Sequence, residues 1–392
     1  MNGIGTAPIR RRWSRALAVA LGAGVLASPA APTAAPGHSE LDNGAAALGP
    51  FQHGMTLGVY SRGSEEDLRP RVRELARLGF DSISLVVPVV LADVRSIDFY
   101  AEPTVTPSDE ALRRAARLSH AMGMRVLLFP IVYVWELKEG EWRGTIDPAD
   151  WDVWFERYGE LILRYARLAR EEGIEYFSVG SELCSSEARE QAWRELIARV
   201  RRQYPGALTY SANWDHRDVA QFFDALDFIG MNAYFRLSAG GGDPSDEELG
   251  RAWEPVIEEV ESWAARWGKP LVVTEIGYPS RTGAAYDPWD YTLEGEPDAS
   301  GQARLYRAFL SAWARVTGLS GVYFYLWWGE GGPHDAGYTP RGKAAEAVLR
   351  EWLASAPERD EATHDEARSD HGGSPGGIRG LSLPGGGDRL FR

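Results

Sequence analysis

The stretch Leu271-Val272-Val273-Thr274-Glu275-Ile276-Gly277-Tyr278 decides how the rest of the chain is read. The residues after Pro270 are apolar or β-branched, the composition of a buried strand. Glu275 then interrupts the run, close to Gly277 and Tyr278. A carboxylate at the exit of a buried strand is costly unless it is paired or put to use. A structural glutamate held in an ion pair would look the same, because such pairs also occupy strand ends. A second stretch changes the balance. Glu175-Tyr176-Phe177-Ser178-Val179-Gly180-Ser181-Glu182-Leu183 repeats the order of apolar strand, small residues and glutamate at the exit. The question becomes whether the fold brings Glu182 and Glu275 together.

The chain has 392 residues, 44% of them hydrophobic, enough for one barrel-sized core. Its net charge of -14 argues against nucleic acid and disfavours polyanionic substrates, leaving a neutral one. Arg10, Arg11, Arg12 and Arg15 precede an apolar run over residues 16–27 that is too short to span a bilayer. A segment rich in Ala and Pro follows, so residues 1–35 read as a secretory signal peptide and 36–50 as a flexible linker. The paired arginines also suggest twin-arginine export. No cysteine follows the run, which argues against a lipid anchor, and no other segment is apolar enough to cross a membrane. A secreted or periplasmic protein, free of the membrane once the signal is removed, is the expectation. Gly22-x-Gly24-x-x-Ala27 mimics a dinucleotide fingerprint without the strand that should precede it. Residues 355–392 are Gly, Pro, Ser and charge, the composition of a disordered tail. Gly372-x-Ser374-x-Gly376 lies there, without the strand and helix that a hydrolase elbow needs. The single cysteine, Cys184, excludes an intrachain disulfide and reads as packing.

Between residues 51 and 354 strand and helix alternate. Strands are predicted over 55–60, 81–90, 125–134, 176–183, 208–214, 226–234, 270–278 and 319–328. Helices are predicted from a capping box at Ser64 and Asp67 to Gly79, and over 107–123, 150–173, 185–204, 217–223, 245–267, 300–317 and 343–353. Eight such units imply a parallel sheet covered by helices, and their length fits a (β/α)8 TIM barrel forming a single catalytic domain. A doubly wound open sheet would favour a glycine-rich phosphate turn after its first strand, and residues 60–64 lack one.

In a barrel all strand C-termini share one face. Glu182 leaves the fourth strand and Glu275 the seventh, so they can face each other across the mouth. Two carboxylates across a cleft are the equipment of glycosidic bond cleavage: one protonates the leaving oxygen, the other attacks the anomeric carbon or activates water. Trp135, Trp214, Tyr234, Trp327 and Trp328 also sit at strand ends, where aromatic faces can cover the C–H faces of sugar rings. Trp151, Trp154, Trp193, Trp253, Trp263, Trp267 and Trp313 fall in predicted helices and read as packing.

These residues resemble those of the clan A glycoside hydrolases, and most closely family 113, the endo-β-mannanases. The resemblance covers roughly residues 55–353. It rests on Val179-Gly180-Ser181-Glu182-Leu183, Ile229-Gly230-Met231-Asn232-Ala233-Tyr234, Thr274-Glu275-Ile276-Gly277-Tyr278 and Tyr325-Leu326-Trp327-Trp328. It implies that Glu182 is the acid/base, Glu275 the nucleophile, and Tyr234 a hydrogen-bond partner of the nucleophile. Trp327 or Trp328 would floor the subsite where the bond breaks. Most of the clan has Asn directly before the acid/base, whereas this chain has Ser181. Ser181 leaves room for a different contact to the sugar 2-hydroxyl, with Asn213 and Asn232 as candidates. The implied chemistry is retaining hydrolysis of β-1,4-mannosidic bonds in mannan, glucomannan or manno-oligosaccharides. No metal or cofactor is expected: the seven histidines show no H-E-x-x-H spacing. His216 can line the cleft or sit on the surface. A monomer acting on a neutral β-linked polysaccharide or oligosaccharide is expected. Another clan A β-glycanase, such as a β-glucanase or β-galactanase, remains an alternative. So do a carbohydrate-binding barrel without catalysis and a structural role within a surface assembly.

Overall fold

The structure is a computed structural model and describes residues 48–59, 68–240 and 242–355. The expected signal peptide, most of the linker, the Ser64–Asp67 capping box and the tail beyond Ser355 lie outside these residues.

Eight parallel strands form the sheet: β1 (Gln52–Leu57), β2 (Ser82–Leu91), β3 (Arg125–Val134), β4 (Tyr176–Ser181), β5 (Ala207–Asn213), β6 (Ile229–Asn232), β7 (Leu271–Ile276) and β8 (Leu319–Trp327). Each pairs with its neighbour in sequence, and β1 pairs with both β2 and β8, which closes the barrel. A two-residue strand, Phe99–Tyr100, adds antiparallel to the end of β2; its length gave no signal in the sequence. Seven longer helices cover the sheet: α1 (Arg69–Leu78), α2 (Asp109–Ala121), α3 (Trp151–Glu171), α4 (Glu190–Arg201), α5 (Asp246–Ala265), α6 (Ala299–Trp313) and α7 (Ala344–Ala354). Their starts carry side-chain caps where the sequence offers them. Ser108 accepts from the Ala111 N–H, Asp150 from Asp152 and Val153, and Ser245 forms a capping box with Glu248.

Two predicted helices differ. The one expected over 185–204 is broken into a single turn, Cys184–Glu187, and α4. The Ser186 carbonyl accepts from the Trp193 indole N–H at 3.2 Å, and the Arg189 N–H caps the turn on that same carbonyl. The one expected over 217–223 is absent; a 3-10 turn at Phe223–Ala225 stands in its place. There the Arg217 carbonyl accepts from the Trp263 indole N–H at 3.1 Å instead of from its own segment. In each place an indole N–H, of Trp193 on α4 or of Trp263 on α5, bonds a carbonyl at the start of the expected helix.

The apolar core has two compartments. The larger lies between sheet and helices and contains Trp154, Trp193, Trp253 and Trp313, all fully buried, in agreement with the packing role read from the sequence. The smaller fills the barrel interior with Val86, Leu127, Phe129, Tyr176, Phe228, Val272 and Tyr323. Leu48 belongs to this interior cluster and is 2% exposed. The carbonyls of Leu48 and Pro50 accept from the Tyr176 hydroxyl and the Arg125 guanidinium, both at 2.7 Å. Within the segment expected as linker, the Leu48 side chain thus packs into the interior cluster, and Pro50 is held by its carbonyl. A chain that starts at residue 51 should be less stable than one that starts at 48 by about 2–5 kcal/mol, the usual cost of losing a buried leucine. Urea unfolding of the two truncations measures this directly.

Candidate active site

Three strands carry a bulge close to the mouth, and each bulge re-aims a site residue. On β4, Ser178 pairs with Thr209 but Ser181 pairs with Ser211, so β4 holds one extra residue. On β7, Met231 faces Val273 and Asn232 faces Glu275, again one extra residue. On β8, Met55 faces Phe324 and Leu57 faces Trp327, with the same consequence. Simple alternation would have put Thr274 and Trp327 on the inner face. The β7 bulge sets Glu275 opposite Asn232 while Thr274 still bonds the Asn232 side chain, and past the β8 bulge Trp327 turns to Glu74 in the helix layer.

Glu182 directly follows β4 with φ at 53°, a left-handed conformation unusual for a residue with a Cβ. Such backbone costs roughly 1–2 kcal/mol. Its neighbours hold it there: the Glu182 N–H donates to the Ser211 carbonyl and the Leu183 N–H to the Tyr210 hydroxyl, both at 2.9 Å. The side chain is 8% exposed and ion-paired with the Arg143 guanidinium. Glu275 is half-buried and accepts from the Tyr234 hydroxyl at 2.7 Å, as the resemblance implied. Burial first, and the Glu182 charge second, push the Glu275 carboxyl up to about 7, against the opposing pull of Arg143 and Tyr234. The two glutamates therefore sense each other's charge across the mouth.

One amide ties together the strands that carry them. Asn232 Nδ2 donates to Ser181 Oγ at 3.1 Å, and Asn232 Oδ1 accepts from Thr274 Oγ1 at 3.2 Å. The residue before each glutamate is thereby tied to the same side chain. Ser181 and Asn232 are buried at 1% and 0%, so neither meets a sugar as the sequence suggested; their role is to hold the floor. Asn213, the last residue of β5, is 6% exposed.

The aromatic candidates divide. Trp327 is 1% exposed, and its indole N–H donates to Glu74 of α1 at 3.2 Å. It faces the helix layer, which corrects its assignment to substrate. Trp328 is half-buried and packs over Gly58 at the end of β1, where a Cβ would lie 2.3 Å from the ring. Trp214 is half-buried and stacks on Trp289, 5.4 Å between centroids, so one face is already covered. Trp135 is 48% exposed and touches Tyr133 edge-on. Arg143, Tyr325 and Tyr338 were not singled out. Tyr338 packs edge-on against both Tyr234 and Tyr325, forming an aromatic wall beside Glu275. The alternation along β8 could have found Tyr325; nothing in the loop over 135–150 marks Arg143.

Cys184, Glu187 and His216 bring one ligand atom each within 4.8 Å of one another. Glu187 already accepts from the Tyr210 hydroxyl at 2.6 Å and pairs with His216 Nδ1 at 2.7 Å. Burial and the neighbouring carboxylates push the Cys184 thiol up, so it keeps its proton. Glu187, His216 and Tyr210 form a hydrogen-bonded brace that reaches the Leu183 N–H next to Glu182, with Cys184 beside it.

Two outcomes follow from this geometry. A carboxyl raised from 4.5 to about 7 in the folded chain stabilises the fold less and less as pH rises through that interval. Glu275→Gln should therefore gain thermal stability over the parent between pH 5 and pH 8; a difference in melting temperature that stays flat with pH would contradict this. Trp327→Ala should cost about 3–5 kcal/mol of stability as a core truncation. Trp328→Ala should instead lower kcat/KM by an amount equal to about 1–3 kcal/mol of lost contact, with a smaller change in melting temperature.

The comparisons with known proteins fit this geometry. The family model for Glycoside Hydrolase Family 113 matches residues 55–340. A solved β-mannanase of that family from Alicyclobacillus acidocaldarius, in complex with ManMIm, is 31% identical. The match covers 79% of this chain and 99% of that one, with a TM-score of 0.71. A second solved structure, a family 113 β-1,4-mannanase in complex form, is 26% identical over 78% and 99% of the two chains, with a TM-score of 0.69. A β-glucuronidase from an uncultured Clostridium sp. is 16% identical over 78% of this chain and 50% of its own, with a TM-score of 0.54, and shares the fold alone. No curated protein matches the chain. The chain belongs to glycoside hydrolase family 113.

Proposed function

We propose that this glycoside hydrolase cleaves β-1,4-mannosidic bonds within mannan, glucomannan or manno-oligosaccharides, with retention of configuration. The observation that carries the reading is the glutamate pair after β4 and on β7, one ion-paired with Arg143 and the other hydrogen-bonded to Tyr234. The 31% identity to a β-mannanase over nearly its whole length supports the substrate class.

Glu275 is taken as the nucleophile. It attacks the anomeric carbon while Glu182 gives its proton to the leaving oxygen, and the glycosidic C–O bond breaks. The mannosyl-enzyme ester that results removes the Glu275 charge. Glu182, now a carboxylate, takes a proton from water, which attacks the same carbon and frees Glu275. The Tyr234 hydroxyl donates to Glu275 as a carboxylate and steadies the charge that returns to it when the ester breaks. Trp328 supplies the ring face at the cleaved subsite. Asn213 is the asparagine left to meet the sugar 2-hydroxyl, because Asn232 is held by Ser181 and Thr274. The same reading takes residues 1–35 as an export signal and the enzyme as a secreted or periplasmic monomer acting without metal or cofactor.

A β-glucanase or β-galactanase would use the same carboxylates, and incubation with mannan, glucomannan, β-glucan, xylan and galactan separates these. Glu275→Ala should abolish turnover, with azide restoring activity on an aryl mannoside and yielding the α-azide. Glu182→Ala should lose about 10²- to 10⁴-fold on natural linkages, the usual share of general acid catalysis, but far less on good leaving groups. Azide should then give the β-azide. Swapped azide products would exchange the two roles, and inversion by the parent enzyme would remove double displacement.

A further inference from the structure

Arg143 sits in a loop, yet its mount is firm. It opens a 3-10 turn, Arg143–Thr145, in the segment between β3 and α3. The Trp142 N–H donates to Thr145 Oγ1 at 3.0 Å, and Thr145 Oγ1 donates back to the Trp142 carbonyl at 2.9 Å. Gly144 lets the Trp142 ring fold over the turn; a Cβ there would lie 2.2 Å from the ring. The Ser185 hydroxyl, three residues beyond Glu182, donates to the Ile146 carbonyl at 2.6 Å. The Asp147 N–H reaches the Val94 carbonyl at 2.7 Å. The turn is thus clipped both to the segment that follows the acid/base and to the β2 side of the mouth.

The guanidinium pairs with Glu182 and also feels the charge of Glu275. The other titratable groups around the pair are mostly acids. They are Asp215 after β5, Cys184 and Glu187 after β4, Tyr234 after β6, Tyr291 between β7 and α6, and Tyr338 between β8 and α7. His216 is matched by its own partner, Glu187. Among the described residues Arg143 is the cation recorded against both carboxylates, pairing with Glu182 and acting on Glu275, while Arg217 acts on Asp215 and Arg281 on Tyr338.

The pairing also conflicts with the reaction. Double displacement needs the proton on Glu182 and the charge on Glu275. In the structure the guanidinium occupies a Glu182 oxygen, an atom of the set from which the proton must be delivered. A carboxylate that accepts from a guanidinium on one oxygen must lose that contact, or shift it, to present a proton to a glycosidic oxygen.

We propose that Arg143 is a positioning residue of the reaction: its guanidinium is the counter-charge that fixes the pH range over which the Glu182–Glu275 pair holds one proton, and it withdraws from Glu182 when substrate arrives. The inference rests on the acid/base and nucleophile roles given above. Arg143 Nε, a buried donor without a partner among the described residues, gives the displaced side chain a group with which to hold a sugar hydroxyl.

The test is the pH profile of kcat/KM for Arg143→Met and Arg143→Lys beside the parent, on a soluble manno-oligosaccharide. Side-chain carboxyl titration by 13C NMR without substrate accompanies it, with Glu182→Gln and Glu275→Gln used to assign the signals. Loss of a nearby cation raises carboxylate pKa values, by roughly one to three units for a close pair. Both limbs of the Arg143→Met bell should therefore move to higher pH, with activity lost on the acid side and kept further into the alkaline side. Arg143→Lys should restore most of the shift. A merely structural role would lower the whole profile without moving it, and that result, or a Met profile that coincides with the parent, overturns the proposal. Should Arg143→Met fail to fold, Arg143→Lys and Arg143→Gln carry the same comparison. The NMR titration reads the shift without any turnover. A shift in the pair's titration with no cleavage of mannan would keep the role of Arg143 as counter-charge and refute the substrate instead.

Discussion

Two carboxylates in one half-dry cleft cannot both be charged without a counter-charge or a shared proton. That constraint organises the mouth of this barrel. Glu182 is given a guanidinium; Glu275 is given a phenol and otherwise left to burial, which raises it to about 7. Coulomb interactions at such depth are far stronger than in water, so small changes in what faces each carboxylate decide where the proton sits. The same asymmetry that separates an acid from a nucleophile is thus built from neighbours, not from the glutamates themselves.

The geometry that maintains the pair is built into the strands that carry it. Asn232 joins Ser181 to Thr274, so the strands that carry the two glutamates are tied through a single amide. Bulges interrupt β4, β7 and β8 close to the mouth, and the left-handed Glu182 backbone is held by hydrogen bonds on either side. A deeply buried polar amide is tolerated here because both its ends are satisfied. Ser181, directly before Glu182, is met by the amide of Asn232 from two strands away. The strain at Glu182 and the raised carboxyl at Glu275 both lower stability, and the large helix–sheet core with its buried tryptophans offsets them.

Much of this was legible in the sequence, because the eight strand–helix units follow simple periodicity and the glutamates end apolar runs. The separation of helix tryptophans from strand-end tryptophans also held for most positions. What could not be read was register. A bulge adds one residue and flips the inner face, so Trp327 and Trp328 exchange roles with no trace in the pattern of apolar residues. In the helices expected over 185–204 and 217–223, indole N–H groups bond the Ser186 and Arg217 carbonyls, from Trp193 seven residues on and from Trp263 on α5, contacts that periodicity does not show. Arg143 escaped notice because a loop arginine carries no periodic signal. Its meaning comes only from the loop being clipped beside Glu182.

The central claim is that Glu275 forms the bond to the sugar. It is tested most directly by trapping the intermediate with an activated 2-deoxy-2-fluoro mannoside, then digesting the protein and locating the added mass by mass spectrometry. The adduct is predicted on the peptide that contains Glu275, formed with a stoichiometry of about one and released when water or an acceptor sugar turns it over. An adduct on Glu182, or the absence of any covalent intermediate in an enzyme that inverts configuration, would contradict it.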